Sequence, residues 1–245
     1  MTGALYLDAN ATEPLRPEAR AAVLAALDLP GNPSSVHAEG RAARRVLEDS
    51  RAVLAARFGV RAQDVVFTAG GTEANAMAVR GLAAGRRVLL SATEHPAVLR
   101  AAPEAALLPV QADGTIDLVR LDAALAAGGP ALVCLMAANN ETGVLHPIEA
   151  AAAICHRRGA LLHVDAVQAA GRVALPPGAD SLALSAHKMG GPKGAGALLL
   201  LASGLDVTAL VAGGGQERGR RGGTEPLPAI AGFAAACRAV REDDA

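Results

Sequence analysis

The sequence predicts an α/β fold, a mostly parallel sheet with helices on both faces. Two observations carry this reading. Short apolar runs of strand length alternate with longer, Ala-rich stretches of helical spacing, as buried parallel strands and their covering helices require. Hydrophobic residues make up 51% of the 245 positions and charged ones 19%, with no repeat or low-complexity linker breaking the alternation. That composition can bury a sizeable core in one large domain or two small ones.

The strands fall at 64–68, 87–91, 131–136, 160–164, 181–184 and 197–201. Helices are expected at 17–27, with Pro17 in the first turn, and at 36–58, where Val46, Leu47, Val53 and Leu54 gather near one face. Others are expected at 72–83, 117–127, 147–158 and 227–240. Aromatic residues are 2% of the chain and Trp is absent, so the core is built mainly from Ala, Leu and Val. The formal charge is −1 and no basic stretch tracks a phosphate backbone, which argues against nucleic acid as a partner. The N-terminus lacks the charged and apolar regions of a secretory signal, and the run GALLLLA is far shorter than the roughly 20 residues that cross a bilayer. Cys134, Cys155 and Cys237 are odd in number and unrelated in spacing, neither a disulfide framework nor a zinc pattern, so no metal site is expected. A soluble cytoplasmic protein is the expectation.

Chemistry concentrates at the strand ends, where ligands of α/β sheets collect. The only lysines, Lys188 and Lys193, both lie in SAHKMGGPKG. An amine can form a Schiff base with an aldehyde, whereas a guanidinium cannot. The alternative is a pair of surface lysines in a Gly-rich turn. VVFTAGGTEAN (65–75) reads as strand, Gly pair and helix start. Gly70 and Gly71 let the backbone approach an anion, and Thr72 adds a hydroxyl at the positive helix end. Glycines that merely turn the chain would look the same, but the Lys and Ser/Thr of a nucleotide-triphosphate loop are missing.

LLHVDAVQ places Asp165 after a strand with Gln168 three residues on. A carboxylate there can keep a pyridine nitrogen protonated, or merely cap a helix. His95, in ATEHPAV, follows another strand and can stack on a ring and move protons, or be structural. Asn140, in AANNETG, can donate to a ring oxygen or form a turn. Lysine, phosphate cup, acid, imidazole and amide together fit pyridoxal phosphate.

These segments, with YLDANATEP, GNPSSVHAEGRAAR and GGGQERGRRGGTE, resemble the cysteine desulfurases of nitrogen fixation and iron–sulfur assembly. Those enzymes belong to the class V aminotransferase superfamily, and the segments occur here in the family's order over almost the whole chain. The resemblance implies the large domain of a fold type I, PLP-dependent transferase at 16–245, preceded by an arm at 1–15 whose strand joins a smaller domain. It implies Lys188 as the covalent attachment point and His95 as ring-stacking acid/base. It places Asp165 and Gln168 on the pyridine ring, Asn140 near its hydroxyl, and Gly71, Thr72, Ser185 and His187 around the phosphate. Thr224 would reach the phosphate of a neighbouring subunit, which implies a homodimer. L-cysteine would give L-alanine plus sulfur for an acceptor protein.

Family members continue into a smaller domain with a nucleophilic Cys on a mobile loop and an Arg for the substrate carboxylate, and neither is found in this sequence. The three cysteines present read as core or helix residues. Two other readings stay open. One is a cofactor-binding remnant, or a subunit that needs a partner chain. The other is a class V lyase or aminotransferase that needs no thiol.

Overall fold

The computed structural model describes residues 5–240, so the expected arm at 1–15 and domain at 16–245 each run beyond the described residues. Seven strands form one sheet: β1 (Val65–Thr68), β2 (Arg87–Ser91), β3 (Ala106–Leu108), β4 (Ala131–Met136), β5 (Leu161–Asp165), β6 (Ser181–Ser185) and β7 (Gly196–Leu200). Their order is β1-β7-β6-β5-β4-β2-β3. Only β7 runs against its neighbours β1 and β6, and every other pairing is parallel. The mostly parallel sheet expected from the sequence is therefore present, and the carboxyl ends of β1, β2, β4, β5 and β6 share one edge.

The helices are α1 (Pro17–Leu27), α2 (Ala38–Phe58), α3 (Gly71–Leu82), α4 (Pro96–Leu99), α5 (Leu118–Ala126), α6 (Ile148–Arg157) and α7 (Leu227–Ala239). Local signals set several of their ends. His37 caps α2 by accepting from the Gly40 amide, and Gly59 closes it at φ 67°, a left-handed conformation that costs glycine little. Asp117 caps α5 by accepting from the Val119 and Arg120 amides.

Strand residues alternate between two cores. Val65, Phe67, Val133, Leu135 and Val164 face α2, α5, α6 and α7. Val66, Leu132, Cys134, Leu198 and Leu200 face α3. All six residues of β4 are buried, which is why ALVCLM is apolar at every position. Burial of each large side chain is worth about 1.5–3 kcal/mol, so the sheet is a rigid platform for whatever its end carries.

The structure departs from the expected elements at several points, β7 among them, which runs 196–200 rather than 197–201. Asp64 lies in a 3-10 turn rather than in β1. Strands β5 and β6 each end one residue later than expected, so Asp165 and Ser185 are strand residues held by the ladder. Two short elements, β3 and α4, have too few residues to show a period. The segment YLDANATEP forms no strand. Its Glu13 amide donates to the His187 carbonyl, and the Arg16 amide beyond it donates to the Gly190 carbonyl. With those donors spent on loops, the segment instead lies along the sheet's carboxyl edge.

Candidate active site

A cleft of about 210 Å³ opens at that edge. Its lining includes Gly71, Thr72, His95, Asn140, Asp165, Gln168, Ser185, His187 and Lys188. Nine candidate residues from five sequence segments thus meet in one place. The cleft is also lined by Asn75, Met136, Ala138 and Val167, which the sequence reading had not singled out.

Each side chain is placed by the end of an element. Gly71 and Thr72 open α3, whose first-turn amides face the cleft with the positive end of the helix dipole. His95 caps α4: its Nδ1 accepts from the Ala97 amide at 3.1 Å, so in the neutral ring Nε2 carries the proton. Ser185 ends β6, and His187 and Lys188 lie in the 3-10 turn that follows. His187 Nδ1 meets the Thr12 hydroxyl at 3.1 Å. Asn140 lies in the turn beyond β4, its Nδ2 donating to Glu141 Oε1 at 2.6 Å.

Asp165 is the buried carboxyl of the cleft, 5% exposed. Its Oδ1 accepts from the Val167 amide at 2.9 Å and its Oδ2 from Asn75 Nδ2 at 2.7 Å. Burial holds its carboxyl above the usual carboxylate range, and those two donors, with His95 and Lys188, offset only part of that rise. Beside it stands Glu94, wholly buried. Its Oε1 accepts from the Met136 amide at 2.6 Å, and its Oε2 has no hydrogen-bond partner. Burial and the adjacent Asp165 push Glu94 up to about 8, so it stays protonated at neutral pH.

Lys188 is half-buried. Desolvation, then the Arg172 guanidinium, lower its amine below the usual lysine range, against a pull from Asp8 and Asp165. The arm crosses the cleft mouth at Asn10. The Asn10 carbonyl accepts from Lys188 Nζ and from Gln168 Nε2, and its Nδ2 donates to the Asn140 carbonyl. Arg172 joins the same knot, donating to Asn10 Oδ1 at 2.9 Å and to Gln168 Oε1 at 2.7 Å. Lys193, beyond the Gly190–Gly191–Pro192 turn, is exposed and outside the cleft.

Thr224 does not line the cleft; it is exposed on the loop 213–225. That loop is anchored from inside. Glu217, at the positive φ of 48° that non-glycine residues rarely adopt, sets its carboxylate against the outer edge of β1. There it meets Arg51 in two bonds of 2.7 and 2.8 Å and accepts from the Phe67 amide at 2.8 Å. Arg221 ties the same loop to Glu73, next to Thr72, at 2.9 Å. All three cysteines are free and buried, as expected of core residues. Burial raises each thiol, Cys155 to about 12, Cys237 to about 11 and Cys134 well above its usual value. None lines the cleft. Among the described residues, no helix is long and apolar enough to cross a membrane.

The sequence pattern of the aminotransferase class-V family matches residues 5–244. A cysteine desulfurase of Cereibacter sphaeroides is 44% identical over 94% of this chain, and the match takes in 63% of that relative. Among solved structures, a NifS-like protein from Rickettsia africae superposes with a TM-score of 0.91 at 35% identity, over 98% of this chain and 69% of its own. A structure of SspA in complex with cysteine gives 0.90 at 30% identity, over 97% and 73%. The chain thus spans a little under two thirds of the curated relatives it matches. It belongs to the aminotransferase class-V family, among its NifS-like members.

Proposed function

We propose that this protein is a pyridoxal 5'-phosphate-dependent cysteine desulfurase that converts L-cysteine to L-alanine and hands the sulfur to a thiol. The observation that carries the reading is the meeting of Lys188 and Asp165 in one cleft that also takes in the N-terminus of α3. The donor set fits the cofactor: an amine for its aldehyde, a carboxylate for its ring nitrogen, helix amides and hydroxyls for its phosphate. Glycine at 71 lets the start of α3 close on the cup wall, where a Cβ would meet Val167 Cγ2 at 2.6 Å and Ser185 Cβ at 3.3 Å. When bound, pyridoxal phosphate supplies an electron sink for charge developing at the substrate α-carbon.

The rest is work for this chain's own residues. Lys188, its amine lowered by burial and Arg172, is the covalent attachment point. Asp165, with Gln168, holds the ring and keeps its nitrogen protonated. Asn140 donates to the ring oxygen. Thr72, Ser185, His187 and the Gly71 backbone hold the phosphate. His95 covers the ring face and moves a proton through Nε2. Thr224 serves a second copy's phosphate in a homodimer, with the docked loop 213–225 presenting it. In this reading residues 1–15 join a second domain, and residues 16–245 form the cofactor-binding one. The sulfur-accepting thiol and the Arg for the substrate carboxylate come from outside residues 5–240, and the sulfur goes on to an acceptor protein of cytoplasmic iron–sulfur or thio-cofactor assembly.

The buried thiols favour a second reading: a subunit that depends on another chain for its thiol, or a class V lyase or aminotransferase. Incubation with pyridoxal phosphate, L-cysteine and a thiol acceptor, assayed for alanine and persulfide, tests the first. Stoichiometric alanine and persulfide support it. Turnover of a sulfur-free amino acid, with cysteine left intact, favours the lyase or aminotransferase, and desulfuration that appears only when a second, thiol-bearing chain is added favours the dependent subunit.

A further inference from the structure

Behind Asp165 runs a row of buried polar side chains that the proposed chemistry does not use. Asn75 is 1% exposed, and His163 and Ser181 are 0% exposed. Their neighbours in this layer are Met77, Ala78, Ala183 and Leu198, so apolar residues would fill these positions at less cost. The contacts run in series: Ser181 Oγ to His163 Nδ1 at 2.9 Å, His163 Nε2 to Asn75 Oδ1 at 3.0 Å, Asn75 Nδ2 to Asp165 Oδ2 at 2.7 Å.

The carboxylate at the end gives the series one direction. An ionised Asp165 only accepts, so the Asn75 amide must present its NH2 to it and its carbonyl to His163. His163 must then donate from Nε2, which leaves Nδ1 as the acceptor of the Ser181 hydroxyl proton. The other tautomer would turn the Asn75 carbonyl against the Asp165 carboxylate. Each polar atom in the row has a partner with the imidazole neutral, and burial, against an upward pull from the Ser181 backbone, drives His163 down to about 3, so it stays neutral.

The row also discriminates between two acids. Asp165 receives two donors, from Asn75 and Val167, whereas Glu94 receives one and keeps Oε2 without a partner. Burial raises the Asp165 carboxyl, and the Val167 and Asn75 donors, then His95 and Lys188, act against that rise in favour of its ionised form.

Resting on the cofactor assignment above, we infer that Ser181, His163 and Asn75 are positioning residues. They form a one-way relay that aims Asp165 and makes it, rather than the adjacent Glu94, the carboxyl that carries the charge.

Two measurements test this. The first needs no cofactor: in the apo chain, nitrogen-15 NMR of the histidines should show His163 as the neutral Nε2–H tautomer from pH 5 to 8. A protonated ring, or the Nδ1–H tautomer, would overturn the relay. The second uses Asn75→Leu, His163→Phe and His163→Gln in the full chain loaded with pyridoxal phosphate. The pH titration of the lysine-bound cofactor's absorption should move by about one unit in Asn75→Leu and His163→Phe, the effect of one hydrogen bond to a charged group. It should move in the direction Asp165→Asn gives, and His163→Gln, which can still donate to Asn75, should restore it. A titration unmoved by Asn75→Leu while Asp165→Asn shifts it refutes the relay and spares the functional reading. If no cofactor attaches to Lys188, the functional reading fails, and the tautomer alone decides the relay.

Discussion

Replacing Glu94 by Gln isolates the energetic consequence of a buried acid beside a buried carboxylate. Folding raises the Glu94 carboxyl from 4.5 to about 8. Between those two values the folded chain holds a proton that the unfolded chain has released, so stability falls as pH rises, by about 1.4 kcal/mol per unit. From pH 5.5 to 7.5, with the slope tapering near the folded value, the loss is about 2–3 kcal/mol. Gln keeps the acceptor for the Met136 amide and has nothing to titrate. His146, His163 and His187 are lowered by burial and contribute the opposite slope, fading as pH rises past 6.5, in both proteins, while the raised Asp165 beside Glu94 adds slope of the same sign as Glu94. The difference in unfolding free energy between Glu94→Gln and the parent, from denaturant titrations at the two pH values, should therefore move in favour of the variant by that amount. A difference that stays constant across the range, or moves the other way, would mean that Glu94 is ionised in the folded chain.

Other consequences are as direct. Breaking the buried Arg51–Glu217 pair by Arg51→Met should cost about 3–5 kcal/mol in denaturant unfolding, and Arg51→Met with Glu217→Leu should recover much of it, because no lone charge is left buried. A thiol reagent should modify none of the three cysteines in the native protein and all three in denaturant, with rapid native labelling contradicting their placement. Gly71→Ala should lower the unfolding free energy by about 1–3 kcal/mol, since its Cβ would press on Val167 and Ser185, and should weaken retention of pyridoxal phosphate, read by absorbance after gel filtration.

Much of this architecture was legible in the sequence, and the reasons are local. Strands such as ALVCLM announce themselves because burial on both faces demands an apolar residue at every position. Lys188, Asp165, His95 and Asn140 were visible because each follows a strand, where α/β sheets gather their chemistry. The strand ends were less legible. Asp165 and Ser185 read as loop residues, and only the ladder shows them to be part of β5 and β6. The relay was hidden for a different reason: Asn75 and Asp165 lie 90 positions apart, and only the fold joins them. A partial signal existed, since Asn75 sits one helical turn beyond Thr72 and His163 shares a strand face with Asp165. Glu94 gave none. An acid beside a histidine is usually solvated, and its isolation follows from packing against Met136 and Asp165.

Covalent attachment at Lys188 is reached directly by one measurement. The protein is incubated with pyridoxal phosphate, reduced with borohydride, digested, and its peptides are mapped by mass. Lys188 stands in the cleft with Asp165, Ser185 and His187, whereas Lys193 is exposed and outside it. The cofactor mass should appear on the peptide at Lys188 alone, in stoichiometric yield, and vanish in Lys188→Ala but not in Lys193→Ala. Label on Lys193 or the N-terminal amine in place of Lys188, or a protein that retains no cofactor, would contradict the account.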